Sequence, residues 1–121
     1  MTLAQDNMTT SRQLIEHAEE ELRNGEPLQA SEKAWGAVVH RLKAIARQRD
    51  WAHGGHYQLY QITDRLVEET SDNDFDRLFK IAEALHANFY NNFMTDAAVR
   101  TGIEDVKRLL DKLSAIYDNG N

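Results

Sequence analysis

Leu28, Trp35, Val38, Leu42 and Ile45 recur at spacings of three, four and seven residues. Such spacing returns side chains to one face of a helix and to no single face of a strand. This stretch is therefore a helix with a core-facing side, and much of the chain repeats its pattern. The adjoining strip Lys33, Gly36, Ala37, His40, Ala44 and Arg47 has small residues at its middle. A second helix or a second subunit can approach closely there, with His40 inside the contact. Arg47 and Arg49 suit the negative end of the helix. Trp51-Ala52-His53-Gly54-Gly55-His56 then breaks it, because paired glycines reach backbone angles a helix does not use.

The same logic divides the rest of the chain. Residues 1–9 show no periodic apolar face and are expected to form a disordered or loosely attached tail. Thr10 and Gln13 have the form of a capping box ahead of a stripe of Leu14, Ile15, Ala18 and Leu22. Asn24-Gly25 closes that helix and Pro27 opens the next. Tyr57, Leu59, Ile62, Leu66 and Val67 predict a shorter helix, and the polar run Ser71-Asp72-Asn73-Asp74 predicts a turn with an N-cap. Phe75, Leu78, Phe79, Ala82, Leu85, Phe89 and Phe93 are expected to line one face of a fourth helix. Thr95-Asp96 starts a fifth, along which Val99, Ile103, Val106, Leu110 and Leu113 repeat. The expected domain spans residues 10–117, with a frayed tail at 118–121. Short links between long amphipathic helices predict an all-α, up-and-down four-helix bundle with an additional short helix.

A chain of 121 residues with 41% hydrophobic content suits one core and one domain. Its formal charge of −6 argues against broad, sequence-blind attraction to nucleic acid. The absence of cysteine excludes disulfides and thiolate metal sites. No apolar run approaches the roughly 20 residues that span a bilayer, and the first residues lack the form of a secretory signal. A cytoplasmic location is the expectation.

Imidazole acts as acid, base or metal ligand near neutral pH, so the five histidines are the natural candidates. His53 and His56 lie three apart beside flexible glycines, with Glu32 or Asp50 as conceivable oxygen ligands. No zinc-type spacing supports a site, and neither metal nor cofactor is expected. His86 has Glu83 three residues before it and Tyr90 four after it, which places the three on one helical face. A carboxylate there would orient the ring for acid–base work or for a polar contact beside the core. Trp35 reads as packing, whereas Trp51 and Tyr57, at the loop, are the aromatics placed to meet a ligand. Phosphate-loop and nucleophile-elbow motifs are absent.

Two segments, SEKAWGAVVHRLKAIARQRDWAHGGH (31–56) and AEALHANFYNNF (82–93), resemble the archaeal PaREP-type branch of the HEPN superfamily (higher eukaryotes and prokaryotes nucleotide-binding). The resemblance extends over roughly residues 10–115 with the flanking helices. It implies a four-helix bundle, commonly a homodimer, with its functional groove near the dimer interface. Many members of that superfamily are metal-independent RNases using an Arg and a His roughly four to six residues apart. Others bind nucleotides or partner nucleotidyltransferases, and some are scaffolds. Here Arg12 with His17, Arg47 with His53 and Arg49 with His56 meet that spacing, whereas His86 has no arginine at the required distance and Asn91 follows Tyr90 where an acidic residue is expected.

The reading drawn from these features is a homodimer that binds a nucleotide, RNA or a protein partner without strong catalytic activity. Its groove is expected to be lined by Lys33, His40, Trp51, His53, His56, His86 and Tyr90. The alternative is a metal-independent endoribonuclease, the toxin of a toxin–antitoxin pair, with Arg47, His53 and His86 as catalysts. A third is a pure dimerisation scaffold. A nucleotidyltransferase or an antitoxin is the partner the resemblance suggests.

Overall fold

The computed structural model describes residues 1–120. Its helices are α1 (Leu3–Arg23), α2 (Pro27–Arg49), α3 (His56–Thr70), α4 (Asp74–Asn91) and α5 (Asp96–Asn119). Among the described residues there is no strand, and no helix is long and apolar enough to cross a membrane.

Contacts along the helices give their directions. Asn7 meets His40 while Glu21 meets Lys33, so α1 and α2 are antiparallel. Arg41 reaches Leu110 and Gln48 reaches Tyr117, which sets α5 parallel to α2. His86 meets Glu32 and Phe79 packs on Trp35, so α4 is antiparallel to α2. The four long helices thus alternate in direction, as expected. The short α3 departs from that rule. His56 at its start stacks on Trp35 in mid-α2, and Glu69 near its end pairs with Arg49 at the end of α2. The connection 50–55 therefore carries the chain back along α2 before α3 runs parallel to it.

Local chemistry explains most boundaries. Gly25 takes φ +75, the left-handed region glycine enters without a Cβ clash, and Pro27 occupies the first turn of α2, where a missing N–H costs nothing. At the end of α2 the left-handed residue is Asp50, φ 60, rather than either loop glycine; Asp and Asn tolerate that conformation better than bulky side chains do. Thr95 caps α5 by accepting from Ala98 N at 3.1 Å. Asp72 Oδ1 accepts from Asp74 N at 2.9 Å, and its carboxylate is held below the ordinary range chiefly by the hydrogen bond from Lys112.

Residues 3–9 are not a tail. Thr2 and Gln5 form the capping box expected at Thr10 and Gln13, so α1 starts eight residues earlier than that expectation. The reason is that the buried face of its first turns is largely polar. Asn7 and Ser11 are buried beside Met8, and Ser11 Oγ donates to Ala37 O at 2.6 Å. At the other end Asp118 and Asn119 are helical rather than frayed. The last residue of the expected tail, Asn121, lies outside the described residues.

The core is centred on α2 and α4. Val38, Leu42, Ile45, Phe79 and Leu85 are fully buried with Ile62, Leu66, Ile103 and Leu113. Each such side chain contributes about 1.5–3 kcal/mol on burial. Phe93 does not join them and is 60% exposed, because α4 stops at Asn91 and Asn92 turns left-handed, taking Phe93 out of helical register. The small-residue strip of α2 is occupied by α1: Leu14 packs on Gly36, and Ser11, Asn7 and Glu21 meet Ala37, His40 and Lys33. It is an intramolecular contact, and no subunit interface is needed to explain it.

Candidate functional site

The two segments singled out in the sequence meet face to face. Ser31 Oγ donates to Pro27 O at 2.8 Å and accepts from Asn88 Nδ2 at 3.1 Å. Asn88, 1% exposed, uses its Oδ1 to accept from Phe93 N and Met94 N at 2.9 and 2.8 Å. This buried amide therefore joins α2 to α4 and ties the exit of α4 in place. Next to Ser31 in sequence, Glu32 places Oε1 2.7 Å from His86 Nδ1.

Trp35, 8% exposed, forms the floor. The His86 ring stacks on it at 4.9 Å between centroids and the His56 ring at 5.2 Å. The two imidazole centroids are 6.4 Å apart, too close for rings on opposite faces of an indole, so both lie on the same side. Phe79 supports the floor from within, 5.6 Å from Trp35 and edge-on to Tyr60 at 4.9 Å. Tyr90 packs edge-on to His86 at 5.3 Å.

Each imidazole has its own carboxylate. His56 Nε2 lies 2.7 Å from Glu83 Oε2, and the other oxygen of Glu83 accepts from the Tyr60 hydroxyl. That hydrogen bond pushes the Tyr60 phenol up to about 12, so it stays a donor and fixes the carboxylate. A carboxylate only accepts, so the ring nitrogen facing it carries the proton. His86 is thereby protonated at Nδ1 and His56 at Nε2, opposite tautomers. Among the described residues, His86 Nε2 and His56 Nδ1 have no protein partner. The face thus offers two oriented imidazoles, each with one free nitrogen that accepts when the ring is neutral and donates when it is charged. Glu83 belongs to His56 and not, as the helical spacing suggested, to His86.

The remaining expected groove residues lie elsewhere. Lys33 is turned towards α1, 3.1 Å from Glu21. His40 sits in a relay: Arg47 Nε donates to Asn7 Oδ1 at 2.8 Å, which orients the amide so that Nδ2 donates to His40 Nδ1 at 2.9 Å. His40 is accordingly neutral with its proton on Nε2. Burial, then the neighbouring Lys43 ammonium, lowers its pKa from the ordinary 6.5. Trp51 and His53 line a recess of about 340 Å³ with Arg47. His53 Nδ1 donates to Trp51 O at 2.9 Å, and the guanidinium groups of Arg49 and Arg65 lie 5.0 and 4.7 Å from the Trp51 ring centroid. Tyr57 is 75% exposed beside His56. So the structure joins His56, His86 and Tyr90 in one site, joins Trp51 and His53 in another with Arg47, and places Lys33 and His40 under α1.

Sequence reasoning missed Trp35 as a platform, Glu32 as the partner of His86, and Asn7 altogether. A signal existed for Glu32, which lies three positions before Trp35 on α2, one turn away. Nothing in the sequence alone aligned α2 with α4. Among the described residues, no group of three or more His, Asp or Glu side chains is arranged to hold a metal ion.

A crystal structure of a protein from Sulfolobus solfataricus has the same fold, with a TM-score of 0.78 over 88% of this chain and 95% of that one, at 22% sequence identity. A comparison with curated proteins found no match. The family described as Archaeal PaREP1/PaREP8 matches residues 6–110. That span runs from the first turn of α1 into the middle third of α5 and takes in Glu32, Trp35, His56 and His86. The chain belongs to the archaeal PaREP1/PaREP8 family.

Proposed function

We propose that the chain is a HEPN-like domain that holds a nucleotide or an RNA segment on the face formed by α2, α3 and α4, with His56 and His86 meeting the ligand. One observation carries the reading: two imidazoles 6.4 Å apart, each held by a glutamate, each with a free nitrogen on the outer side of a tryptophan floor. Histidines with purely structural roles do not require two separate carboxylates, a fixed phenol and an open approach. The exposed Tyr57 and Tyr90 beside them offer π-faces on which a base can stack, at about 1–3 kcal/mol per base. The homodimer belongs to the same reading. Tyr57, Tyr90 and Phe93 are exposed, and a second copy laid over them would close the face around its ligand.

Cleavage is the second reading, and the pairing of the imidazoles favours it. Metal-independent RNA scission needs a base to take the 2′-hydroxyl proton as that oxygen attacks phosphorus. It also needs an acid to protonate the departing 5′-oxygen. The ring separation leaves room for one phosphorus centre with each reacting oxygen within about 3 Å of one imidazole. Against it stands charge: two carboxylates lie beside the imidazoles, and no arginine among the described residues pairs with either, so an anionic phosphate meets negative charge without a cation to offset it.

The test is fluorescence anisotropy with a labelled single-stranded RNA and with nucleotides, alongside incubation of the RNA in chelator. The reading predicts binding that weakens about tenfold or more in His86→Ala and in His56→Ala, with helicity retained. Binding unaffected by both variants removes the face from consideration. RNA ending in 2′,3′-cyclic phosphate, lost in both variants, establishes the second reading.

A further inference from the structure

At the opposite end of α2, about 18 Å from Trp35 at 1.5 Å per residue, a cavity of about 640 Å³ opens between α1, the end of α2 and Tyr117 of α5. Two arginines, Arg12 and Arg47, line it, and no aspartate or glutamate does. In a chain with 20 acidic and 14 basic residues that is an unusual local balance. Most other surface cations are used: Lys33, Arg49, Arg77, Lys80, Lys107, Arg108 and Lys112 all hold carboxylates. Among the described residues Arg12 and Arg47 make no ion pair. Arg47 is nonetheless oriented, because Nε is fixed by Asn7 Oδ1 while both terminal nitrogens remain free. Arg41, 5% exposed and hydrogen-bonded to Leu110 O and Ser114 Oγ of α5, lies near enough to Arg12 to be affected by its charge: burial and then repulsion from Arg12 lower its guanidinium to about 10, with Asp111 opposing. Two guanidinium groups thus share the cavity wall with no carboxylate on it, and the carboxylate that acts on Arg41, Asp111, is not part of that wall. A fixed fork of donors is what a tetrahedral oxyanion requires.

We propose that this cavity binds a small phosphate-class dianion, a phosphate monoester or free phosphate, between Arg12 and Arg47. Two cationic forks without a carboxylate match a doubly charged terminal phosphate better than the singly charged diester of an RNA backbone. Thr2 and Gln5, also on the wall, are used in the α1 capping box, so the arginines carry the recognition. The inference does not rest on the ligand of the histidine face.

Isothermal titration of the full chain with sodium phosphate, at constant ionic strength against a chloride control, tests it. Saturable binding is expected, about tenfold or more weaker in Arg12→Gln and in Arg47→Gln, since a charge-assisted hydrogen bond contributes about 1.5–3 kcal/mol. Arg12 is exposed and makes no hydrogen bond or ion pair among the described residues, so its variant keeps the structure even if loss of the Asn7 bond unsettles Arg47→Gln. His86→Ala should bind phosphate as the wild type does. Heat no different from chloride, equal binding in Arg12→Gln, or loss of binding in His86→Ala each overturns the site. A short RNA lacking a terminal phosphate that competes as strongly as free phosphate also overturns it, because the preference is then for the diester.

Discussion

Glu32 Oε1 and His86 Nδ1 lie 2.7 Å apart although 54 residues separate them in sequence. The contact brings the two segments with the most unusual chemistry into one site and fixes which imidazole nitrogen faces outward. Nitrogen-detected NMR of the histidine side chains should find His86 protonated at Nδ1 and His56 at Nε2 near neutral pH. In Glu32→Gln the amide can donate as well as accept, so the Nδ1–H preference of His86 should weaken while His56 is unchanged. An unaltered His86 tautomer would show that something other than Glu32 selects it.

Asn88 is the polar keystone beneath that contact, serving Ser31 and two backbone N–H groups at once. Asn88→Ala strands those donors in a site only 1% exposed. It should cost about 3 kcal/mol of stability, read from urea unfolding midpoints. A loss under about 1 kcal/mol would mean that water replaces the amide.

Gly102 and Gly36 both lie in helices, where alanine gains about 1 kcal/mol of propensity over glycine. They should respond differently. A Cβ on Gly102 would sit 3.1, 3.4 and 3.5 Å from three atoms of the fully buried Leu85, and overpacking costs about 1–3 kcal/mol. Gly102→Ala should therefore be destabilising. A Cβ on Gly36 meets only Leu14 Cδ1, at 3.1 Å, on a half-buried side chain free to shift. Gly36→Ala should be neutral or stabilising. Thermal unfolding of the two variants side by side checks the contrast, and the reverse order would contradict it.

His40 makes stability pH-dependent in a stated direction. Its folded pKa is lowered from 6.5, so as pH falls the unfolded chain takes up this proton before the folded one does. Stability drops as pH falls below about 6.5, and the loss levels off once the folded imidazole is protonated as well. Protonation also replaces the acceptor at Nδ1 by a donor facing Asn7 Nδ2, with Lys43 and Arg47 nearby to repel the charge. Urea midpoints at about pH 7.5 and pH 5 should fall more steeply for the wild type than for His40→Gln. Parallel falls would assign the slope to other groups.

Much of the fold was legible because apolar spacing is a property of the chain itself. Pro27, Gly25 and Thr95 marked helix ends through local backbone chemistry, and Phe79 and Leu85 announced the core. What escaped was carried by polar residues. Asn7 and Ser11 bury the first turns of α1 with hydrogen bonds rather than apolar area, so residues 3–9 looked like a tail. The site was half legible. His56, His86 and Tyr90 stood out by residue type, yet Glu83 was assigned to the histidine nearest in sequence. The connection 50–55 returns His56 to Trp35 and hands Glu83 to it, a placement that helical periodicity does not encode. Trp35 was correctly read as packing, and its second role as a floor depends on two elements that arrive from elsewhere.

The central claim is that His56 and His86 together meet a nucleotide or RNA ligand, and histidine side-chain NMR during a titration with short single-stranded RNA addresses it most directly. The account predicts saturable shifts at His86 Nε2 and His56 Nδ1 over one concentration range, with the exposed His17 on α1 unmoved. Shifts confined to His53, or uniform small changes in all five histidines, would contradict it.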